Sequence, residues 1–446
     1  MTPDQTVLGR PSKSFFVDVI TRDLTVEEAL CDLLDNSLDE AVERQRVNVM
    51  TVLASGRPRR FVDAQVRVTL REQEIRIEDN CGGISVNQAR TSVFRFGNPN
   101  APSVKGGLSV YGIGMKRAFF KLGRYVVVES STDTEHFRVE IDVNEWKERG
   151  DEDWDFAFAE VGHHRKEPKW KGTRITISRL GPTVIGRLSS VSFVKDLLAR
   201  ISSSYALFLE AGMAISVNDE PAVSVLPVML AANEMTPARR RFAVGDVDVL
   251  IMAGVSPRSD KRRHGWYVFC NGRMVLDADQ TEVTGWGLGL PKWHTKFGHF
   301  VGMVYFRSED VRNLPWRTTK QGVVVESHLY QAALAEMQVQ ARPVLDFLTG
   351  LYPGEVTEDG PAEREVMTRA APVSLKHVAR RESSFKVDLE QQRQTALDRT
   401  VTIQYSRKVK DIERLKACVP ALRRAAAKRV GEYAFDYLLK QECGDR

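Results

Sequence analysis

Hydrophobic residues recur every three or four positions near the start of the chain. In VEEALCDLLDNSLDEA, residues Val26 to Ala41, they have the spacing of one face of a helix. Asp32 and Asn36 lie one turn apart, so they share a second, polar face of that helix. The pattern predicts a helix over residues 24–48. Its polar face is either solvated or holds a metal ion and a water molecule for chemistry.

Apolar and polar residues alternate in several later runs, which is typical of half-buried strands. A helical pattern at residues 115–122 separates the first two runs from the others. One helix followed by clustered strands predicts an α+β sandwich rather than a doubly wound parallel sheet. We expect this unit to end near Leu180–Pro182. The strand-like runs are residues 64–70, 74–80, 124–131, 136–143 and 172–180.

A second series of strand patterns follows and ends in a helical pattern near residues 326–348. The Asn271-Gly272 pair inside it predicts a hairpin turn, because both residue types readily adopt positive φ. Beyond this series the chain is loop-like at residues 352–365, and it is helical and basic from Arg407 to Leu439. The strand patterns are residues 213–219, 246–255, 265–276 and 299–306.

The length of 446 residues is too great for one hydrophobic core. We predict four segments: a first domain at 1–182, a second domain at 183–350, a linker at 351–400 and a basic helical region at 401–446. The net charge of +5 permits nucleic-acid contact but does not by itself argue for it.

The five cysteines are scattered, which argues against a zinc module or a disulfide framework and fits a reducing compartment. No apolar run approaches the ~18–20 residues of a membrane span, and the N-terminus lacks a signal-peptide pattern. We expect a cytoplasmic protein without membrane contact.

Four short motifs follow one another along the first domain. The first is the helix with Asp32 and Asn36. The second is DNCGGI, Asp79 to Ile84, where a carboxylate followed by glycines can accept a hydrogen bond from a planar ligand. The third is GGLSVYGIGMKRAFFKLG, Gly106 to Gly123, a glycine-rich loop that enters a helix and suits phosphate oxygens. The fourth is KGTRITI, in which Gly172-Thr173 opens a strand.

Each motif alone is more often a solvated face or an ordinary turn, but their order is specific. It resembles the ATP-binding domain of the GHKL superfamily (gyrase, a heat-shock chaperone, histidine kinases and MutL), and most closely the gyrase–MutL–MORC branch. The resemblance covers residues 15–180 by motif and extends less securely to residue 350. It implies a Bergerat-type ATP-binding α/β sandwich followed by a ribosomal-protein-like β-α-β transducer domain.

The resemblance also implies ATP and Mg²⁺ as cofactors and assigns roles to residues. Asn36 would coordinate Mg²⁺, and Asp79 would bind the adenine amino group with support from Thr173. The segment from Phe96 to Tyr111 would be a lid that closes over the nucleotide. Further ATP-binding positions are Asp39, Gly83, Gly112, Gly114 and Lys116, of which the last three would hold phosphates.

The chain departs from the family pattern at two positions. Asp32 stands where the family has its catalytic glutamate, and its shorter side chain puts the reach to an attacking water in doubt. Glu28, one turn earlier, is the reserve base, with a solvated helix-terminal acid as its alternative reading. Cys81 replaces the first glycine of the adenine motif, although Gly82 and Gly83 could still allow close approach of a ligand.

Lys320 lies far downstream in NLPWRTTKQGVV, Asn313 to Val324. It resembles the lysine that the transducer domain of this branch projects onto the γ-phosphate, so we predict a catalytic role for it beside Asp32. The alternative is an ordinary surface lysine.

The resemblance implies an ATPase that dimerises when ATP binds. The segment from Thr6 to Ile20 is a candidate strap across such a homodimer, or else a packed first strand. Basic clusters at 238–242, 260–267 and 406–429 make sequence-independent DNA contact plausible. The favoured function is a slow, Mg-dependent ATPase whose dimerisation gates an action on DNA or a DNA-bound partner. The alternatives are a chaperone-like ATPase acting on protein clients and a nucleotide-gated scaffold with little hydrolysis.

Overall fold

The structure is a computed structural model, and contacts within the chain divide it into two compact units, Met1–Glu390 and Gln391–Arg446. Both large sheets and the candidate site lie in the first unit. The described residues are 11–53, 59–97, 104–109, 112–260, 263–352, 362–373, 378, 382–388, 403 and 405–444.

The first sheet has eight strands in the order β5-β4-β3-β6-β2-β1-β7-β8. All neighbouring pairs are antiparallel except β1 with β7. This mixed sheet confirms the predicted α+β class. Its strands are β1 Gln65–Leu70, β2 Glu74–Asp79, β3 Gly123–Ser131, β4 Glu135–Asp142, β5 Phe158–His163, β6 Gly172–Leu180, β7 Ala214–Val217 and β8 Glu220–Pro221.

One face of this sheet is buried under helices. Along β2, Ile75, Ile77 and Asp79 are buried, whereas the residues between them are partly exposed. Because successive side chains of a strand point to opposite faces, Asp79 points toward the helical layer. That layer and its flanks contain α1 Lys13–Thr21, α2 Val26–Gln45, α3 Val86–Gln88, α4 Gly114–Leu122, α5 Val143–Glu148, α6 Pro182–Leu188, α7 Phe193–Ser204 and α8 Ala206–Glu210.

Helix α2 is the predicted opening helix, and its start is fixed by a capping box. The Thr25 hydroxyl accepts a hydrogen bond from the Glu28 N–H (3.2 Å), and the Glu28 carboxylate accepts one from the Thr25 N–H (2.6 Å). Such a pair satisfies two N–H groups that a helix start otherwise leaves free. Glu28 therefore acts as a cap in this structure, which favours the alternative reading as a helix-terminal acid, and its role as the reserve base stays a prediction.

Helix α1 contradicts the packed-strand alternative for the N-terminal segment. Lys13 is buried at its first position, where the ammonium donates to the carbonyls of Trp146 (2.8 Å) and Arg149 (3.0 Å). Residues 6–10 of the candidate strap lie outside the described residues, and its role between subunits stays a prediction.

The strand pattern at residues 213–219 belongs to the first sheet, not to the second domain where we expected it. Strand β7 pairs in parallel with β1, and helices α6 to α8 form the connection that leads to it. A strand of only four residues carries no sequence signal for its pairing partner, so periodicity could not assign it to a sheet. The predicted domain boundaries themselves stay predictions.

The second sheet has five strands in the order β11-β12-β15-β13-β14. Its β13–β14 hairpin turns through Asn271 (φ 46°) and Gly272 (φ 90°), which confirms the predicted turn. Helix α9, His328–Gly350, packs on this sheet through β11, β12 and β15. The strands are β11 Ala238–Val244, β12 Val247–Val255, β13 Gly265–Cys270, β14 Arg273–Asp279 and β15 Phe300–Arg307. Whether this unit is a transducer domain stays a prediction.

Part of the predicted linker is structured. Strand β16 pairs with β9, β17 pairs with β10, and α10 precedes them. These elements are β9 Met229–Ala231, β10 Met235–Thr236, α10 Ala362–Arg369, β16 Ala371–Val373 and β17 Lys386–Val387. Single turns of 3₁₀ or π helix occur at Val49–Leu53, Ala89–Val93, Glu282–Thr284, Thr295–Phe297, Val311–Asn313 and Pro420–Leu422.

In its described residues the C-terminal unit contains α11 Val409–Cys418 and α12 Ala427–Cys443, and α12 continues four residues past the predicted helical end at Leu439. Among the helices that the structure describes, none combines the length and the apolar character needed to cross a membrane.

Candidate functional site

Asp79 ends strand β2 as a buried carboxylate with three donors. Its Oδ2 accepts a hydrogen bond from the Ser37 hydroxyl (2.7 Å), and its Oδ1 accepts from the N–H groups of Cys81 (2.9 Å) and Thr173 (3.2 Å). Burial raises the pKa of Asp79, and these hydrogen bonds oppose the rise. A carboxylate has about four acceptor positions, so one remains for a ligand donor. The structure thus brings Asp79 and Thr173 together as predicted; we call this region the Asp79 pocket.

The glycines beside Asp79 allow backbone segments to pack closely. A Cβ on Gly83 (φ +77°) would lie 2.2 Å from the Ser131 carbonyl oxygen, and one on Gly172 (φ +152°) would lie 1.9 Å from the Asp79 carbonyl oxygen. Both glycines are therefore needed to form the pocket wall. The predicted role of Gly83 as a residue approached by the ligand stays a prediction. Cys81 is buried, and burial raises the pKa of its thiol.

Asn36 lies on the polar face of α2. Its amide nitrogen donates to the Asp32 carbonyl (2.9 Å), and its amide oxygen accepts a long hydrogen bond from the Ser109 hydroxyl (3.4 Å). The amide oxygen is therefore held weakly and can serve as a metal ligand.

Asp39 binds the backbone of the predicted lid at residues 108–109. It accepts hydrogen bonds from the N–H groups of Leu108 (2.6 Å) and Ser109 (2.9 Å). Burial raises the pKa of Asp39 to about 6 against these bonds. Asn271 from the second sheet donates to the Gly107 carbonyl (2.9 Å) on the same segment. Asp39 thus binds the loop backbone, and residues 98–103 and 110–111 of the lid lie outside the described residues.

Asp32 forms a buried ion pair with Arg117 of helix α4. The guanidinium Nε lies 2.5 Å from Asp32 Oδ2, and both side chains are under 10 % exposed. Gly114 lies against the same carboxylate, since a Cβ there would be 3.6 Å from Asp32 Cγ. One oxygen of the predicted base is therefore occupied, which leaves Oδ1 to contact a water.

No side chain that the structure describes caps the first N–H groups of helix α4. Gly112 has φ +63°, and the N-cap residue Ile113 makes no side-chain hydrogen bond to the helix. The first intrahelical acceptor, the Ile113 carbonyl, is bound by the Arg117 N–H (2.9 Å). Free N–H groups at a helix start suit anionic oxygens, so Gly112 and Gly114 lie where phosphates fit.

The Lys116 ammonium binds a backbone carbonyl and is not free for a phosphate in this structure. Its ammonium donates to the Val93 carbonyl (2.9 Å) and lies 5.9 Å from the centre of the Phe96 ring. Burial lowers the pKa of Lys116 to about 8. In this arrangement Lys116 anchors the helix to the start of the lid, and phosphate contact would require that hydrogen bond to break.

Lys320 reaches helix α2 from the second sheet's side of the molecule. It is 8 % exposed, and its ammonium lies 2.6 Å from Oδ2 of Asp35. Arg273 also forms an ion pair with that oxygen, and the Tyr205 hydroxyl donates to Oδ1 (2.9 Å). Burial would raise the pKa of Asp35, but Arg273 and Lys320 hold it below its usual value. We call these four residues the Asp35 cluster.

Four residues make contacts at the site that the sequence did not predict: Arg117, Asp35, Arg273 and Asn271. Asp35 directly precedes Asn36 but falls among the buried residues of α2, where a carboxylate needs a partner. A carboxylate among the buried positions of a helix could therefore have predicted a buried cationic partner. It could not have identified Arg273, which is 238 residues away.

The donor set fits Mg²⁺ only in part. Within the described ranges, no group of three or more His, Cys, Asp or Glu side chains could hold a metal ion. Mg²⁺ is usually held by one or two protein oxygens together with substrate phosphates and waters. Asn36 can supply one such oxygen.

Residues 24–172 match a family model described as histidine kinase-, DNA gyrase B-, and HSP90-like ATPase. The match spans all the motif residues of the first domain up to Gly172, and it supports a GHKL-type ATPase domain with ATP binding. No curated protein matches the chain.

Proposed function

We propose that this protein is an ATP-binding switch of the gyrase–MutL–MORC branch in which Lys320 senses the γ-phosphate. One observation carries the proposal. The Lys320 ammonium already lies on the helix that bears Asp32 and Asn36, although 285 residues separate it from its partner Asp35.

The rest of the site would bind the remaining parts of the nucleotide. The Asp79 pocket would take the adenine amino group, and the N-terminus of α4 with Gly112 and Gly114 would take phosphates. Asn36 would hold Mg²⁺, which neutralises phosphate charge when bound. The uncapped helix start and the remaining acceptor position on Asp79 support this assignment.

The charge balance of the Asp35 cluster supports a movable Lys320. Two cations, Arg273 and Lys320, share the single carboxylate of Asp35. If Lys320 turned to a phosphate, Arg273 would still neutralise Asp35, so no buried charge would be left unpaired. ATP, but not ADP, would then favour the docked arrangement of the second sheet against α2.

Hydrolysis is proposed to be slow. Asp32 is shorter than the family's glutamate, and Arg117 occupies one of its oxygens. A displacement of about 1 Å in a reacting group can cost on the order of a hundredfold in rate. The chain would therefore hold ATP for long periods and act mainly through the ATP-bound state.

We further propose that ATP binding drives homodimerisation and gates contact with DNA or a DNA-bound partner. The nine basic residues among positions 406–429 and the exposed arginines of β11 support an electrostatic DNA contact. A chaperone-like action on protein clients is the alternative.

The proposal is tested by measuring dimerisation and DNA binding with a non-hydrolysable ATP analogue, with ADP and without nucleotide. Dimer formation and salt-sensitive DNA binding with the analogue alone support it. Tight analogue binding without dimers would overturn the switch, and client-stimulated turnover without a DNA effect would favour the chaperone.

A further inference from the structure

A large cavity lies beside helix α7, strand β14 and the loop that carries Lys320. Its volume is about 1350 Å³, whereas pockets for small ligands usually measure roughly 300–1,000 Å³. Asp32, Asn36 and Asp79 do not line it, but Arg273 and Lys320 do. This arginine cavity is therefore a different space from the proposed ATP site and shares one wall with it.

Among the described residues, the arginine cavity is lined by seven cationic side chains and four carboxylates. Asp35, which does not line the cavity, pairs with two of these cations, so an excess of two positive charges remains. Two of the carboxylates, Glu27 and Asp196, already bind Arg187. The charged lining residues are Arg187, Arg200, Arg258, Arg263, Arg273, Arg317 and Lys320, with Glu27, Asp196, Asp260 and Asp277. This imbalance favours an anionic occupant.

Three of these guanidinium groups are free to bind a ligand. Arg200, Arg258 and Arg263 make no ion pair and no guanidinium hydrogen bond with any residue that the structure describes. A second observation concerns Arg273, which is 4 % exposed and whose Nε has no hydrogen-bond partner in the described residues. A buried donor without a partner is costly, and such a group commonly marks a missing ligand or water.

The chemistry of the wall identifies the class of ligand. Guanidinium groups bind phosphate through paired hydrogen bonds, so several arginines around one space suit a phosphate-bearing molecule. Apolar side chains complete the wall: Val225, Leu226, Val228, Met274, Leu276 and Val283. An organic body attached to the phosphate would pack against them.

A single-stranded nucleic acid fits this wall less well. Such ligands stack their bases on exposed aromatic rings. Among the described lining residues only Tyr267 carries a benzene ring, and it is 6 % exposed. We propose that the arginine cavity binds a small phosphate-bearing organic molecule of nucleotide size, at a site separate from the ATP site.

The test is calorimetric titration of the full chain with inorganic tripolyphosphate as the probe, with and without a non-hydrolysable ATP analogue. The double variant Arg258→Ala/Arg263→Ala removes two lining guanidiniums. The matched control is Arg149→Ala/Arg312→Ala, which removes two exposed arginines that bind Asp153 and Asp310 instead.

The proposal expects the cavity double variant to weaken probe binding about tenfold for each arginine, and the control to change it less than about twofold. Binding should persist in the presence of the ATP analogue. If both double variants lose the same fraction of probe affinity, the probe binds through general attraction to the charged surface, and the proposal is overturned. Displacement of the probe by the analogue would also overturn it, as would tighter binding of a single-stranded oligonucleotide through the same two arginines.

Discussion

The Asp79 pocket and the Asp35 cluster both contact helix α2, but different interactions hold them. Asp79 is fixed by one hydroxyl and two backbone N–H groups from elements of the first sheet and from α2. Asp35 is held by two long cationic side chains that come from the second sheet and the loop after it.

This difference suggests a division of labour. Backbone donors cannot move without refolding, so the Asp79 pocket is suited to constant recognition of one ligand group. Ion pairs on flexible side chains can exchange one anion for another at little cost, so the Asp35 cluster is suited to reporting which nucleotide is bound.

Asp79→Ala gives the largest expected effect, because it removes the acceptor around which the pocket is built. We expect ATP affinity to fall by at least about a hundredfold, since unpaired buried donors would remain. Equilibrium titration with a fluorescent ATP analogue measures this fall in affinity. The control is Glu78→Ala, one position earlier, whose side chain faces outward to Arg174. Retained tight binding by Asp79→Ala would refute the adenine assignment.

Asp32→Ala separates binding from chemistry. Asp32 lies outside both regions compared above, so nucleotide affinity should change little. Any hydrolysis should fall to background, because general bases commonly contribute about 10²–10⁴-fold. Phosphate release under single-turnover conditions measures this. Glu28→Ala serves as the control, since it removes the N3 half of the capping box and should lower stability but leave turnover intact. Unchanged turnover in Asp32→Ala would place the base elsewhere.

Lys320→Gln tests whether the Asp35 cluster discriminates between nucleotides. The wild-type protein should bind an ATP analogue more tightly than ADP, and the variant should lose about tenfold of that preference, because one charge-assisted contact disappears. The ratio of the affinities for the ATP analogue and for ADP measures this preference. Arg312→Gln, which alters an exposed cation paired with Asp310, is the control. An equal loss of affinity for ATP and ADP would point to a merely structural lysine.

Glu40→Gln should give the smallest effect and tests the electrostatics beside the Asp79 pocket. Burial and the nearby Glu43 and Asp79 raise the pKa of Glu40 from 4.5 to about 7. The folded state thus holds this proton more tightly than the unfolded chain, so wild-type stability falls as pH rises between those values and then levels off.

The Glu40→Gln variant lacks that fall, so above pH 7 it should be more stable by about 1–2 kcal/mol. Urea unfolding at pH 5 and pH 8 measures the difference, with Glu72→Gln at an exposed position as the control. If the Glu40→Gln variant is no more stable than the wild-type protein at pH 8, the claim that the charged Glu40 side chain destabilises the folded state is refuted.

Patterns with a local cause could be predicted from the sequence. The opening helix, five of the eight first-sheet strands and the Asn271-Gly272 turn follow from periodicity and positive φ, and the structure has them. The Asp79–Thr173 contact followed from motif order.

Features that depend on distant pairing could not be predicted. Strand β7 joins the first sheet across three helices, and Arg117 and Arg273 reach carboxylates that lie 85 and 238 residues away. Lys116 and Asp39 lie in the expected motifs, but Lys116 binds Val93 just before the lid segment, and Asp39 binds Leu108 and Ser109 within it. Side-chain direction at such positions depends on packing that spacing does not encode.

A crystal structure with a non-hydrolysable ATP analogue and Mg²⁺ tests the central claim most directly. We predict that the Lys320 ammonium will lie within hydrogen-bond distance, about 3 Å, of a γ-phosphate oxygen, while Arg273 remains on Asp35. An analogue bound in the Asp79 pocket with Lys320 still paired to Asp35 would contradict the account.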